Sequence, residues 1–339
     1  MQANTLLILG TGGTIAGVQN ANDASGGYTA GVLGVDELLG GVEPPAGWRV
    51  TTQQVASIDS KDMRWSVWQG LAAALGCGLS DPAVGGVVIT HGTDTLEETA
   101  CLLDWLHDQR KPIVLTAAMR PATAVDADGP ANLRDAMAVA AALSAVGRGG
   151  VWVLMHGRLW PASQARKAHS HAIDAFDGGG LPAVAEAVSA DHQWRPVLGA
   201  WEQVPVRAYQ APLWRWFAIQ DRPRVECVYS HADADGWVVR AMLSCPDAAG
   251  LRGLVVACTG HGTVHEALAE ALGEASSRGV VVWRSTRVAR GGVTAKPTDR
   301  WPATGSLTVA QARVALALHL LQAPDRDNNV LEFLARSGV

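Results

Sequence analysis

The sequence predicts an α/β protein in two parts. A larger N-terminal domain is built on a mostly parallel sheet with helices on both faces, and a smaller C-terminal α/β domain follows. Three observations carry this. Apolar runs of strand length at 5–9, 49–57, 85–90, 112–116 and 151–156 alternate with helix-like stretches near 65–76, 95–108 and 130–145. Strands that alternate with helices imply a parallel sheet covered on both faces. A second, shorter alternation has strands near 225–230, 253–258 and 280–286 and helices near 263–274, 308–322 and 327–336. Between the two, residues 195–224 are rich in Pro and Trp and lack periodicity. The expected organisation is a domain at 1–200, a linker at 201–224 and a domain at 225–339.

The first element organises the rest. Thr5 to Leu9 is a buried-strand run, and Gly10, Gly12, Gly13 and Thr14 follow it directly. A strand that ends in glycines presents its next hydroxyl at the carboxyl edge of the sheet, where open α/β sheets bind ligands. The glycines let the backbone come close to a ligand and leave N–H groups pointing at it. Thr14 is therefore a candidate nucleophile, with a plain tight turn as the alternative. No GxxxxGK[ST] is present, so a phosphate loop is not indicated. Tyr28, one of only three tyrosines, lies in the glycine-flanked GGYTAG. It is either a lid residue or an incidental surface residue.

The next strand ends in SIDSKD, which puts Asp59 and Ser60 at the same edge, or merely in a turn. The strand after it ends in HGTDT, residues 91–95, and Glu97 and Glu98 open the following helix, where acids suit the dipole. Thr93, Asp94 and Thr95 are cap candidates, Asp94 or Thr95 above all. Two hydroxyl-bearing strand ends in one sheet also suit a shared crevice. The Pro- and Gly-punctuated stretch 118–133 is expected to form its rim. Lys167, in ASQARKAHSH, follows the 151–156 strand. A Thr–Lys–Asp set is chemically coherent, because threonine attacks only with a base beside it. His169 and His171 have the look of a metal pair but lack a third ligand, and His261 and His265 read as structural.

Composition narrows the function classes. The chain has 339 residues, is 48% hydrophobic and 17% charged, and carries a net charge of −5. That is an ordinary globular composition without a basic footprint for nucleic acid. Its 13 Trp are scattered and suit core and interface filling. Five cysteines without CxxC fit reduced thiols. MQANTLLILGTGG shows no basic leader and no membrane span is evident, so the expected location is the cytoplasm. Of the 27 basic residues only four are Lys, at 61, 111, 167 and 296. Where Arg is the default, a retained Lys points to an amine that can lose its proton.

TGGTIAG (11–17), HGTDT (91–95), AMRP (118–121), DADGP (126–130) and the spaced Lys167 together resemble the bacterial-type L-asparaginases, in order and spacing along nearly the whole chain. The resemblance implies a two-domain α/β subunit, a homotetramer built as a dimer of intimate dimers, and hydrolysis of L-asparagine, possibly L-glutamine, without metal or cofactor. It implies no nucleic-acid or membrane partner. By the same resemblance Thr14 is the nucleophile and Tyr28 its lid partner, and Thr93, Asp94 and Lys167 form a second catalytic group. Ser60 and Asp94 hold the substrate's α-carboxylate and α-ammonium, with Asp59 and Thr93 beside them. Backbone N–H groups next to Thr14 and Thr93 form the oxyanion hole. Three positions depart from the family pattern. Lys61 stands where many members have Gln, and Thr263 where some have Asn. Asp299 is the only acid in the segment from which many supply a Glu to the neighbouring subunit.

Overall fold

The computed structural model describes residues 4–20, 27–108, 110–188, 193–196, 222–245 and 250–322. Two compact units divide the chain, residues 1–218 and 219–339. The predicted linker at 201–224 lies almost wholly outside the described residues, as does the predicted helix at 327–336.

The first unit contains strands β1 (Thr5–Gly12), β2 (Val18–Gln19), β3 (Tyr28–Thr29), β4 (Arg49–Ile58), β5 (Val84–Thr90), β6 (Pro112–Thr116), β7 (Gly150–Met155), β8 (Arg158–Pro161), β9 (Arg166–Lys167), β10 (Phe176–Asp177), β11 (Ala185–Val188) and β12 (Gln193–Pro196). Its helices are α1 (Val35–Leu38), α2 (Trp65–Ser80), α3 (Leu96–Leu106) and α4 (Gly129–Ala145). Eight strands form one sheet in the order β12-β11-β8-β7-β6-β5-β1-β4. From β7 to β4 every pairing is parallel, and β8, β11 and β12 extend the sheet antiparallel. β1, β5, β6 and β7 are buried along their whole length, which explains why they read as continuous apolar runs rather than alternating ones. Separate apolar cores cover the two faces. One packs Leu9, Ile89, Leu115 and Val153 with Leu71, Leu75 and Leu103 of α2 and α3. The other packs Leu6, Ile8, Val88 and Val114 with Leu133, Met137 and Leu143 of α4.

The strand order places the site. The chain runs from β1 to β4 on one side of β1, then crosses to β5 on its other side and continues through β6 to β7. β1 is thus the switch point of the parallel sheet, and a crevice opens outside the carboxyl ends of β4, β1 and β5. Those three ends carry Ser60, Thr14 and Thr93.

The second unit is a three-stranded parallel sheet of β13 (Arg224–Tyr229), β14 (Leu251–Cys258) and β15 (Val281–Thr286), in that order. Helices α5 (Trp237–Ser244), α6 (Glu266–Ser277) and α7 (Val309–Gln322) complete it. Its core gathers Val239, Leu254, Val256, Leu268 and Leu272. Helix α5 and the antiparallel strands β8, β11 and β12 have no counterpart in the predicted elements. They are short, the strands four residues each and the helix eight, too brief for their periodicity to stand out in the sequence.

Candidate active site

Three turns meet at the crevice, and two glycines make the meeting possible. Gly12 and Gly13 have φ of 99° and 82°, a region that only glycine enters without strain. A Cβ on Gly13 would overlap the backbone of His91 and Gly92, and one on Gly12 would overlap the backbone of Ile58. Gly12 and Gly13 thus bring the turn after β1 into backbone contact with the end of β4 and with the turn after β5. Gly13 N–H donates to Ile58 O at 2.7 Å and ties the first turn to the second. Thr11 Oγ1 donates to Thr90 O at 2.9 Å and ties it to the third.

Thr14 opens a single 3-10 turn, Thr14–Ala16, and is buried. Its hydroxyl lies 2.8 Å from Tyr28 Oη. Tyr28 heads the short hairpin of β2 and β3, in which Gln19 pairs with Tyr28 and Val18 with Thr29. The Tyr28 ring packs so closely on Gly17 that a Cβ there would collide with it. The rim stretch holds this hairpin, because Ala122 N–H donates to Gly17 O at 2.9 Å and Gln19 N–H to Thr123 Oγ1 at 2.8 Å.

The second group assembles around Thr93, which is also buried. Lys167 Nζ donates to Thr93 Oγ1 at 2.9 Å and to Asp94 Oδ1 at 2.6 Å. Asp94 is about half exposed and Lys167 largely covered, so Nζ bridges a buried hydroxyl to a carboxylate at the surface. Ser60 is buried and locks the turns together. Its Oγ accepts from Asp94 N–H at 3.2 Å, and its carbonyl accepts from Thr95 Oγ1 at 2.8 Å. Thr95 is the residue before α3, yet neither it nor Asp94 caps the helix with its side chain. Thr95 is spent on Ser60 instead, and Asp94 on Lys167. Asp59 accepts from Lys61 N–H at 3.3 Å, and Lys61 Nζ lies 3.2 Å from Asp59 and 2.8 Å from Asp62. Asp62 first and Asp59 second hold the Lys61 ammonium above its ordinary pKa. Asp59 is thus adjacent to the crevice, but its carboxylate already serves Lys61.

His91, two residues before Thr93, is fully buried. Its Nδ1 is 2.7 Å from Gly92 O, and a carbonyl only accepts, so Nδ1 carries the proton. In the neutral ring Nε2 then accepts from Thr99 Oγ1 at 2.9 Å, and Thr99 accepts from Trp68 Nε1 at 2.8 Å. Sequence reading missed this network because its members come from three elements. Burial first pushes the His91 pKa down to about 4, against a smaller opposing pull from the Gly92 carbonyl. An unfolded His titrates near 6.5. Between those values the unfolded chain binds the proton that the folded chain refuses. The resulting stability is complete above pH 6.5 and is lost as pH falls towards 4, by about 3 kcal/mol. Unfolding free energies measured at pH 7 and pH 4 should fall by about that much more in wild type than in His91→Asn; equal losses would refute the assignment.

The other flagged residues are accounted for locally. The His169 and His171 rings meet edge-on with centroids 4.6 Å apart. Among the described residues no group of three or more His, Cys, Asp and Glu is arranged to hold a metal ion, and no helix is long and apolar enough to cross a membrane. In the second unit His261 Nε2 accepts from Thr294 N–H at 3.0 Å, and His265 N–H donates to Ser230 Oγ at 2.9 Å. Thr263 bonds back to Thr259. Asp299 accepts from Lys296 N–H at 2.8 Å and pairs with Arg284 at 2.5 Å. The Lys296 amide first and Arg284 with it hold the Asp299 carboxyl below its usual range.

Comparison with known proteins shows the family. The family model described as Asparaginase, N-terminal, matches residues 5–197, and that of the Glutaminase/Asparaginase C-terminal domain matches residues 224–330. A Haemophilus influenzae protein named "Probable L-asparaginase periplasmic" is 36% identical over 94% of this chain and 89% of its own length. L-asparaginase 2 of Escherichia coli is 34% identical over 94% and 90%. The solved structure of a probable cytoplasmic L-asparaginase from Campylobacter jejuni superposes with a TM-score of 0.85 at 31% identity, over 98% of this chain and 99% of that one. The expectation of a cytoplasmic location is corrected by these relatives, because the Haemophilus influenzae protein is named as periplasmic. An unremarkable N-terminal sequence is too slender a basis for a compartment when proteins this similar are assigned to different ones. With both of its halves matched by the family's models and 94% of its length by these relatives, the chain belongs to the asparaginase family.

Proposed function

We propose that the protein hydrolyses L-asparagine to L-aspartate and ammonia, with Thr14 as the nucleophile. The single observation that carries this reading is the pair of buried threonines, Thr14 and Thr93, on adjacent strand ends. One is bonded to Tyr28, the other to a Lys–Asp pair. Thr14 Oγ1 adds to the side-chain amide carbonyl, ammonia leaves, and water then hydrolyses the aspartyl ester on Thr14. Each half of the cycle needs two proton movements. In the first half the attacking oxygen must lose a proton, and the departing nitrogen must gain one. Neutral Lys167, acting through Thr93 Oγ1, takes the first and returns it for the second, and Asp94 orients it. In the second half the attacking water gives up a proton and Thr14 Oγ1 regains one through the same groups that serve the first. Tyr28 aligns the Thr14 hydroxyl and closes the site as part of its hairpin. Ser60 and Asp94 face the substrate's α-carboxylate and α-ammonium. Asp59 has the lesser part, since both its carboxylate oxygens serve Lys61, whereas Lys167 bonds Oδ1 of Asp94. Gly13 and Asp94 N–H groups are already used, so the oxyanion donors are the Thr14 and Thr93 amides. Catalysis uses no metal and no cofactor. Ammonia release by purified protein, assayed in parallel on L-asparagine and L-glutamine, tests the reading; no release from L-asparagine would overturn it.

The first unit carries this machinery, and the protein assembles as a homotetramer, a dimer of intimate dimers. If active sites form between subunits, dilution to the 35.5 kDa monomer should abolish turnover. Light scattering combined with activity measurements checks this. Full specific activity from a species of monomer mass would rule it out.

A further inference from the structure

The geometry points to Glu97 as a positioning residue for Lys167, an inference that rests on the reading of Lys167 as the proton carrier. Lys167 lies on the two-residue strand β9, whose only strand partner among the described residues is β10, with Lys167 opposite Phe176. On such an edge a backbone N–H lacks a ladder acceptor. Here Lys167 N–H donates to Glu97 Oε2 at 2.9 Å across seventy residues of sequence. Glu97 is half-buried in the first turn of α3, two residues after the end of HGTDT. The segment 93–97 therefore grips one residue at two points. Thr93 and Asp94 hold its Nζ, and Glu97 holds its backbone.

The double grip matters because a lysine has four rotatable side-chain bonds and a two-residue strand is a weak anchor. Fixing Nζ on Thr93 needs the Cα fixed as well, and proton transfer is sensitive to displacements on the scale of an ångström. Phe176 of β10, buried and paired with Lys167, sets one edge of the strand. Glu97 sets the other. The carboxylate also faces the positive end of α3, which suits an acid whether or not it positions anything. The test must separate these roles.

Removing the acceptor in Glu97→Ala should lower kcat ten- to a hundredfold with KM changed less than about threefold. Glu97→Gln keeps an acceptor oxygen and should recover kcat to within about threefold of wild type. If Glu97 mattered only for helix charge, Gln would behave like Ala, and melting temperature would move while kcat did not. Combining Glu97→Ala with Lys167→Met should cost nothing beyond Lys167→Met alone, because the two act as one unit. A further tenfold loss in that background overturns the proposal, as does a Glu97→Ala kcat within threefold of wild type. Should Glu97→Ala melt below assay temperature, Glu97→Asp decides. It retains the charge at the helix start but falls a methylene short of Lys167, so a tenfold loss supports the role and wild-type kcat refutes it. Failure of the Lys167 reading itself looks different: Lys167→Met would then remain active.

Discussion

Thr14→Ala is expected to lower kcat by three decades or more while leaving the fold in place. The loss follows from the chemistry, since without the hydroxyl no covalent intermediate forms and the two-step route closes. The small stability effect follows from the surroundings. Thr14 Oγ1 is bonded to Tyr28 Oη, and Tyr28 is itself about 40% exposed, so water can replace the lost partner. A hydrogen bond of this kind contributes about 1 kcal/mol. The backbone conformation of the turn is set by Gly12 and Gly13, which the substitution leaves untouched. Ammonia release and a thermal melt on the same preparation check both halves. A kcat within tenfold of wild type would remove Thr14 from the nucleophile's role. A collapse in melting temperature would mean that Thr14 supports the turn, and the activity loss would then carry no mechanistic weight.

How much of this was legible in the sequence differs by element. The central strands were readable because burial on both faces leaves a continuous apolar run. The 112–116 run is the observed β6, and the runs at 49–57 and 85–90 lie within a residue of β4 and β5. Thr14, Ser60 and Thr93 were readable as strand-end hydroxyls, and the structure brings their turns together at the switch point. What local pattern cannot show is how a side chain is spent. Asp94 and Thr95 follow the rule for helix caps, yet Lys167 and Ser60 outbid the helix for them. Asp59 carries a charge at the crevice edge, but Lys61, one residue from Ser60, occupies it. Glu97 reads as an acid suited to the helix dipole. Its bond to Lys167 exists only once β9 has folded against the start of α3, seventy residues away.

Lys167→Arg is the second large effect, expected to be nearly as inactive as Lys167→Met. Arg preserves the positive charge and can still donate to Asp94, so a purely structural cation would survive the change. A proton carrier would not, because Arg is effectively never deprotonated in a protein. The site adds a steric argument. Lys167 Nζ is a single point that reaches Thr93 Oγ1 and Asp94 Oδ1 at once, at 2.9 and 2.6 Å. A longer, planar guanidinium has its donors in a fixed fork, and a buried Thr93 leaves little room to receive it. The defect should fall on kcat more than on KM, because the proton moves only as the reaction proceeds. Steady-state kinetics of the Arg and Met variants on L-asparagine decide the matter. A Lys167→Arg enzyme with more than a tenth of wild-type kcat has lost about 1.4 kcal/mol or less of barrier stabilisation. That is too little for the loss of a proton carrier, and it would reduce Lys167 to a structural cation. Thr14, Tyr28 and Thr93 would then have to move both protons among themselves.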